Sequence, residues 1–183
     1  GAYTLTMSGG GRFSNTNHLD LNNASSKLLL NSITVDNVST TSDSLGLDVD
    51  NDSTVSSLSV AHITPVSIAS GSSLSGAITV SAGSLKLTEA GELASTISMS
   101  GGVLDADNSS TLSGTLTQAG NITIDVADDK TLTYSGTALS LGAYTLTMSG
   151  GGRFSNTNHL DLNNASSKLL LNSITVDNVS TTS

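Results

Sequence analysis

Residues 1–42 return without a single change as residues 142–183. Even the polar stretch over 14–18, S-N-T-N-H, is identical in the second copy. A fixed period is the signature of a repeat architecture, so the sequence predicts one complete unit over 1–141 and, continuous with it, the start of an identical unit over 142–183. Because the chain begins in mid-pattern at a glycine, we expect it to be a segment of a longer tandem array.

The composition of the chain favours a thin aliphatic core. About a third of the residues are Ser or Thr and only 3% are aromatic, which leaves too few large side chains for a thick core. Disorder is the competing interpretation, but Leu, Ile or Val recurs every few residues, and disordered segments lack such regular apolar positions. Because there is a single proline, Pro65, and no charged run that would mark a linker, we expect one continuous fold.

Short runs of alternating apolar and polar residues indicate β-strands. Period-two alternation places one face of each run in a core, and the small polar residues between runs provide turns. No long window carries an apolar stripe at helical spacing, and Ser, Thr and Gly are poor helix formers. The runs lie over 3–7, 18–21, 27–30, 33–35, 45–49, 58–60, 78–80, 85–87, 122–124 and 132–134.

Two architectures suit many short strands, and aromatic content separates them. A β-sandwich usually anchors a thick core on aromatic side chains, and the 1–141 unit offers only Tyr3, Phe13 and Tyr134. Apolar centres instead recur about every ten to thirteen residues, near half of a solenoid coil. The sequence therefore predicts an all-β fold, a parallel β-solenoid built from a tandem repeat of about 141 residues. The alternative is an array of β-sandwich domains.

A weaker internal similarity suggests the length of a coil. The segment over 96–102, T-I-S-M-S-G-G, resembles T-L-T-M-S-G-G over 4–10, which recurs in the second copy. Its distances along the sequence from these two matching segments are both near-multiples of roughly 23 to 25 residues. A coil of that length predicts roughly six coils per unit, which at about 4.8 Å per coil extend the unit by about 30 Å.

Three Thr- and Gly-rich segments carry a resemblance to a known class of proteins. They are S-T-L-S-G-T-L-T over 110–117, G-N-I-T-I over 120–124 and K-T-L-T-Y-S-G over 130–136. Nearly the whole chain shares the Thr- and Gly-rich composition of these segments. In this composition it resembles bacterial giant surface adhesins and autotransporter passengers built from β-strand repeats. The resemblance implies a place outside the cell or at the cell surface and host or surface glycans as partners, but it identifies no functional residue.

The net charge accumulates with the repeat. Arg12 and Lys27 balance Asp20 and Asp36 within the duplicated segment, so the whole net charge of −9 belongs to residues 1–141. Accumulated negative charge disfavours nucleic acid and anionic membranes as partners. No apolar stretch approaches the roughly 20 residues of a membrane-spanning helix, so we expect no membrane insertion. The absence of cysteine excludes disulfides and thiolate metal sites.

Carboxylates at alternate positions form the strongest candidate for a binding site. Asp48, Asp50 and Asp52 would place hard oxygen ligands for calcium on one face of a strand. An EF-hand loop that begins at Asp48 needs glycine at its sixth position and an acid at its twelfth, and those positions hold Ser53 and Ser59. The glycine-rich nonapeptide of calcium-binding β-rolls is also missing. We therefore predict no cofactor, with calcium at these three aspartates as the alternative.

Catalysis has little support in the sequence. His18, His62 and His159 are the only histidines, and no nucleophile-elbow or zinc-protease motif accompanies them. Glu89 and Glu92 lack the aromatic platforms that usually line sugar-cleaving clefts. Thr-Leu-Thr triplets would suit an ice-binding face, but threonine is common at exposed strand positions in general. We predict no enzymatic activity.

The sequence thus predicts a structural segment of a giant extracellular protein, an acidic and stiff fibre or adhesin stalk at the cell surface. The first alternative is a self-assembling extracellular matrix or sheath filament, in which separate chains join end to end. The second alternative is a module that binds calcium or ice. The main expected partner is a further copy of the chain itself, in tandem or end to end.

Overall fold

The chain winds into a solenoid of parallel strands. The computed structural model describes residues 3–181, and no helix occurs among them. None of these residues therefore belongs to a helix that is long and apolar enough to span a membrane. Each turn of the chain, here called a coil, pairs its strands with those of the coils before and after it. The all-β parallel β-solenoid predicted from the sequence is confirmed, and the β-sandwich alternative is wrong.

The strands are short and are separated by turns of small polar residues. In chain order they are β1 (Tyr3–Ser8), β2 (Arg12–Phe13), β3 (Leu19–Leu21), β4 (Ser26–Asn31), β5 (Thr34–Thr40), β6 (Gly46–Val49), β7 (Ser53–Val60), β8 (Ile63–Ile68), β9 (Ser73–Val80), β10 (Ser84–Leu87), β11 (Glu92–Leu93), β12 (Thr96–Met99), β13 (Val103–Ala106), β14 (Ser110–Leu112), β15 (Leu116–Gln118), β16 (Ile122–Val126), β17 (Thr131–Tyr134), β18 (Leu139–Ser140), β19 (Thr145–Ser149), β20 (Arg153–Asn156), β21 (Leu160–Asp161), β22 (Lys168–Leu171), β23 (Thr175–Val176) and β24 (Val179–Ser180).

Three parallel sheets run along the solenoid. The first has the order β1-β4-β6-β8-β10-β13-β16-β19-β22, and each of its strands begins a new coil. The second has the order β2-β5-β7-β9-β11-β14-β17-β20-β23, with β3, β12 and β15 joined to it beside that path. The third consists of β18, β21 and β24. Within residues 3–181 the chain therefore completes nine coils, which are numbered below in chain order.

One repeat contains seven coils. β19 has the sequence of β1 and is the eighth strand of the first sheet. Paired residues on neighbouring strands of that sheet lie 19 to 24 positions apart. The expectation of six longer coils is wrong because the similar segments over 4–10 and 96–102 begin in different sheets, so the distance between them does not measure whole coils. At about 4.8 Å per coil, seven coils extend the repeat by about 34 Å.

Alternate residues of each strand point into a thin aliphatic core. In the first sheet Leu28, Leu47 and Val66 form one inward column, and in the second sheet Val38 and Leu58 begin another. All five side chains are buried. Because each column continues from coil to coil, every coil buries its apolar face only together with its neighbours, and the backbone N–H and C=O groups pair along the axis.

The predicted units meet inside this solenoid. The first and second sheets continue from coil seven, the last of unit 1–141, into coil eight, the first of unit 142–183. Residues 1, 2, 182 and 183, which complete the two predicted units, lie outside the described residues.

Candidate functional site at the junction between repeats

The three aspartates predicted as calcium ligands have separate neighbours. Asp48 forms an ion pair with Lys27 of the preceding coil, with 2.5 Å between Nζ and Oδ2. Asp52 accepts a hydrogen bond of 2.8 Å from the backbone N–H of Ser73 on the following coil, and Asp50 is exposed in the turn after β6. No three His, Cys, Asp or Glu side chains within residues 3–181 are grouped so that they could hold a metal ion. Calcium binding stays a prediction.

Asp52 shares a shallow polar cleft with Glu92, which lies two coils further along the axis. Ser73 and Thr111 also line this cleft. The Glu92 carboxylate accepts a hydrogen bond from the hydroxyl of Ser113. The cleft therefore brings together two carboxylates that lie 40 positions apart in the sequence, each with a serine as hydrogen-bond donor. The absence of enzymatic activity stays a prediction.

The Thr-Leu-Thr triplets do not form one continuous ladder of threonines. Thr4 of the first triplet pairs with Lys27 and Thr6 pairs with Leu29. In the second copy Thr147 is paired with Thr123 on one side and with Leu170 on the other. A continuous threonine face is therefore interrupted in the first sheet.

The junction between the repeats is the contact of coil seven with coil eight. β16 pairs with β19 from Ile122 opposite Leu146 to Asp125 opposite Ser149. β17 pairs with β20, and β18 pairs with β21, so all three sheets cross the junction. The second copy of the repeat therefore continues the ladder of the first without a gap.

Apolar side chains of coil eight are covered by coil seven. Leu146 and Met148 of β19 and Leu160 of β21 are fully buried. The ring of Phe154 stacks on the ring of Tyr134, with 6.1 Å between centroids and 27° between planes. Aromatic pairs in this geometry add to the stability that burial alone provides. The junction is therefore packed like the rest of the core.

Two glycines, Gly150 and Gly152, allow the turn after β19 to approach the backbone of coil seven closely. A Cβ on Gly152 would lie 2.5 Å from the carbonyl oxygen of Ala127 and 2.7 Å from that of Lys130. A Cβ on Gly150, where φ is +93°, would overlap the carbonyl oxygen of Val126. Contacts this short with backbone atoms exclude any side chain, so the glycines are required by the neighbouring coil.

Polar groups fix the register of the junction. The backbone N–H of Thr145 donates a hydrogen bond of 2.9 Å to Oδ1 of Asn121, and the Thr145 carbonyl accepts one of 2.9 Å from Nε2 of Gln118. The Ser149 hydroxyl donates to the Asp125 carboxylate. A shift of one residue would break these bonds and turn the apolar face outward.

Within residues 3–181 no coil lies in front of the same residues of the first copy. Leu5 is 44% exposed and Phe13 is 41% exposed, whereas their equivalents Leu146 and Phe154 are 0% exposed. A Cβ on Gly9, Gly10 or Gly11 would meet nothing within 4 Å. The edge of coil one, formed by β1, β2 and β3, is therefore an open apolar face, called the leading face below.

Coil one contacts coil two in the same way as coil eight contacts coil nine. β1 pairs with β4 in the register in which β19 pairs with β22. Arg12 forms an ion pair of 2.6 Å with Asp36, and Arg153 forms one of 2.8 Å with Asp177. Hydrogen bonds from Ser14 and from Arg12 lower the pKa of Asp36, and a hydrogen bond from Arg153 lowers the pKa of Asp177. The contact of each coil with the next is thus set by the repeat itself.

Paired asparagines also link neighbouring coils in both copies. Asn37 donates a side-chain hydrogen bond of 2.6 Å to the carbonyl of Asn15, and Asn15 donates one of 2.8 Å to the carbonyl of Asn37. Asn178 and Asn156 exchange the same two bonds at 2.6 and 3.2 Å. These amides form ladders along the axis.

One charged cluster lies on the outer face of the first sheet. Lys86 contacts Asp105 at 2.9 Å and Asp107 at 2.8 Å. The hydrogen bond with Asp107, aided by that with Asp105, raises the pKa of Lys86. The pKa of Asp105 is also raised, because its burial outweighs the attraction of Lys86. The cluster therefore links coils five and six, but it removes the Asp105 carboxylate partly from water, which disfavours its charged form.

The residues of the junction were not identified from the sequence as functional. The available signal was the identity of G-G-G-R-F over 9–13 and 150–154, which indicates a common role but not its partner. No protein-family model, no curated protein and no solved structure matches the chain.

Proposed function

We propose that the chain is a structural repeat segment of a giant extracellular protein, in which it forms part of a stiff fibre or adhesin stalk. The observation that carries the proposal is the junction of coils seven and eight. The end of one repeat fits the beginning of the next with continuous sheets, buried apolar side chains and glycines shaped to the contact. Repeats of this sequence therefore add to one another along a single axis.

The contacts between coils suit a mechanical role. Each interior strand of the first sheet, and of the path from β2 to β23 in the second, is bonded by its backbone to a strand on both sides, so bending or sliding requires many hydrogen bonds to break together. Ion pairs between successive coils, such as Lys27 with Asp48 and Lys86 with Asp105, lie on the outside and reinforce the same contacts. Each further repeat would lengthen the rod by about 34 Å at about 4.8 Å per coil.

Charge and composition support a place outside the cell or at its surface. A net charge of −9 in each repeat keeps neighbouring fibres apart by repulsion, and a cysteine-free chain needs no disulfide chemistry in order to fold. The resemblance to surface adhesins points in the same direction and adds host or surface glycans as partners. Antibody labelling of intact cells is expected to stain them without permeabilisation, and staining only after permeabilisation would contradict this location.

A filament of separate chains is the second candidate function. The observation that supports it is the same junction, because the contact of coil seven with coil eight would serve equally well between the repeats of two separate chains. Unpaired strand edges are templates for pairing of this kind. In such a filament the joints would repeat at the length of one chain, whereas a continuous fibre would show none.

Electron microscopy of the native protein tests the proposal. We expect an unbroken rod of constant width, with an axial spacing near 4.8 Å and a longer repeat of about 34 Å. Discrete beads connected by linkers would overturn the continuous fibre. Rods interrupted at regular intervals would replace it with the filament of joined chains.

A further inference from the structure

We infer that one uncharged side of the solenoid is the surface through which two copies of this protein lie side by side. This side, called the hydroxyl face below, is the outward side of the C-terminal halves of β5, β7 and β9 together with β12 and β15. The inference rests on the proposed fibre of stacked repeats and goes beyond it, because it names a lateral partner.

A column of hydroxyl groups runs along the hydroxyl face through coils two to six. Strand pairing sets its five members opposite one another in turn, and none of their side chains is buried. They are Ser39, Ser59, Thr79, Ser98 and Thr117. A second column of small side chains lies beside it and includes Ser57, Ala77 and Thr96. Small side chains at a constant spacing allow two sheets to approach closely and to interdigitate.

The hydroxyl face carries no charge over these five coils. Residues 37–41, 57–61, 77–81, 96–100 and 115–119 contain no Asp, Glu, Lys or Arg, although the net charge of the chain is −9. Charged groups lie on the outward sides of the other two faces and include Asp48, Lys86, Asp105, Asp36 and Glu92. Two acidic rods repel each other least where their uncharged faces meet. The charged faces of such a pair stay on its outside, so association ends at two copies.

The aspartates that bound the neutral stretch favour an antiparallel pair. Asp20 lies opposite Ser39 at the end of the column in coil one, and its equivalent Asp161 in coil eight lies opposite Ser140 of coil seven. A parallel pair in register would set Asp20 against Asp20. A two-fold axis through coil four instead sets coil one against coil seven, so that Asp20 faces the hydroxyl of Ser140, which can donate a hydrogen bond. A self-complementary contact of this kind closes after two copies.

The area of the hydroxyl face predicts that pairing strengthens with the number of repeats. Five residues at about 3.3 Å and five coils at about 4.8 Å give about 400 Å² on each partner. A stable interface buries about 800 Å² on each partner. The 183-residue chain holds one complete patch of this size, whereas a chain with two complete repeats reaches the area that a stable pair needs. Each further repeat adds to the same contact.

Analytical ultracentrifugation of chains of increasing length tests the inference. The 183-residue chain is compared with chains that carry one or two further copies of unit 1–141 in tandem. We expect the 183-residue chain to be a monomer and the longer chains to be dimers, with a dissociation constant that falls about tenfold or more for each added repeat. Longer chains that stay monomeric would overturn the inference. Retention of such monomers on an uncharged dextran matrix would assign the face to a glycan instead.

A variant on the hydroxyl face and a matched variant on the second sheet locate the contact. Thr79→Lys in every repeat places a cation at the two-fold axis, where it would meet the same cation of the partner, and should abolish the dimers. Thr133→Lys makes the same change on the outward side of β17 and should leave the dimers intact. Because neither threonine is buried, both variants should keep the circular dichroism and melting temperature of the parent chain. Dimers that survive Thr79→Lys would contradict the inference.

A pair of opposite charges tests the orientation. Ser59 lies in coil three and Ser98 in coil five, and these coils face each other in the antiparallel pair. Ser59→Lys combined with Ser98→Glu should therefore keep or strengthen the dimers, because lysine of one copy would meet glutamate of the other. In a parallel pair like charges would meet. Loss of the dimers in this double variant would show that the antiparallel arrangement is wrong.

The outcome is separable from that of the proposed fibre. If micrographs of the native protein show single unbroken rods and the longer chains stay monomeric, the fibre stands and lateral pairing is wrong. If the native protein appears as beads while the longer chains form dimers that Thr79→Lys abolishes, the hydroxyl face stands and the continuous fibre is wrong.

Discussion

Phe13 and Phe154 occupy the same position in two identical stretches of sequence, yet only Phe154 is buried. In the next coil of each copy the difference in exposure is reversed. Leu30 of the first copy is 0% exposed, whereas its equivalent Leu171 is 50% exposed. Coil one lacks a preceding coil and coil nine lacks a following one within residues 3–181, and these two edges account for both differences. Whether a residue is buried in this fold therefore depends on the neighbouring coil as much as on the local sequence.

The comparison has a thermodynamic counterpart. In a solenoid each coil contacts only its neighbours, so stability is approximately a sum of terms for single coils and for contacts between adjacent coils. An interior coil has two such contacts and an edge coil has one. The same substitution should therefore change the free energy of unfolding by different amounts in the two copies. The difference within each pair of variants measures the contribution of the one contact that the edge coil lacks.

The largest difference is expected between Phe154→Ala and Phe13→Ala. Loss of a fully buried ring that stacks on Tyr134 should lower the free energy of unfolding of the C-terminal coils by about 3 to 5 kcal/mol. Phe13 lies on the leading face, and its loss should cost about 1 kcal/mol or less. Urea unfolding followed by circular dichroism measures both. Equal costs for the two variants would show that the two copies have the same surroundings and would break the comparison.

The reversed pair is Leu30→Ala and Leu171→Ala. Truncation of Leu30 leaves a cavity between coils two and three and should cost about 2 to 5 kcal/mol. Leu171 lies in the last described coil and is half exposed, so about 1 kcal/mol is expected. The same urea experiment applies. A larger cost for Leu171→Ala would mean that a further element covers coil nine in solution.

The glycine pair should give a smaller but cleaner difference. Gly152→Ala forces a methyl group against the backbone of Ala127 and Lys130, and the resulting shift should cost about 1 to 3 kcal/mol. Gly11→Ala places the same group in open space and should change stability by no more than about 0.5 kcal/mol. Differential scanning calorimetry of the two variants resolves this difference. Destabilisation by Gly11→Ala as large as that by Gly152→Ala would mean that the leading face is covered in solution.

The smallest effect concerns pH, and here the two copies should agree. The pKa values of Asp36 and Asp177 are lowered in the fold by partners from their own copies. Their stabilisation is therefore present above the ordinary pKa, near 4, and is lost as the pH falls through the lowered values. Melting temperatures measured from about pH 5 to pH 2 should fall less steeply for Asp36→Asn and for Asp177→Asn than for the parent chain. Different slopes for these two variants would contradict the shared geometry.

Asp105 serves as the control of opposite sign. Burial raises its pKa, so its contribution to stability is fully present at low pH and is lost as the pH rises through the raised value. Asp105→Asn removes the stabilisation that protonation of Asp105 provides at low pH. The melting temperature should therefore fall more steeply on acidification. A shallower fall would mean that the attraction of Lys86 outweighs burial.

The fold could be predicted from the sequence because its signals are local. Alternation over 3–7, 27–30 and 122–124 identifies strands, and the scarcity of aromatic residues favours a thin solenoid over a sandwich. The number of coils could not be obtained in the same way. A pattern such as T-I-S-M over 96–99 fits a strand of either sheet, so similar segments need not lie in equivalent places.

The junction could not be predicted because it depends on register between coils. Lys27 and Asp48 are 21 positions apart, and only the pairing of β4 with β6 brings them together. The same pair gives one candidate calcium ligand, Asp48, a lysine as its partner, which alternation along a single strand could not show. The glycines over 150–152 likewise have their reason in residues over 126–130, which no local motif connects to them.

A distance between the two copies tests whether they form one solenoid. The chain has no cysteine, so Thr6→Cys and Thr147→Cys introduce two unique sites for nitroxide labels at equivalent positions of the repeat. Seven coils separate these sites, and double electron–electron resonance should give a single narrow distance of about 34 Å, from about 4.8 Å per coil. A broad distribution, or a distance far from this value, would show that the second copy does not continue the stack of the first.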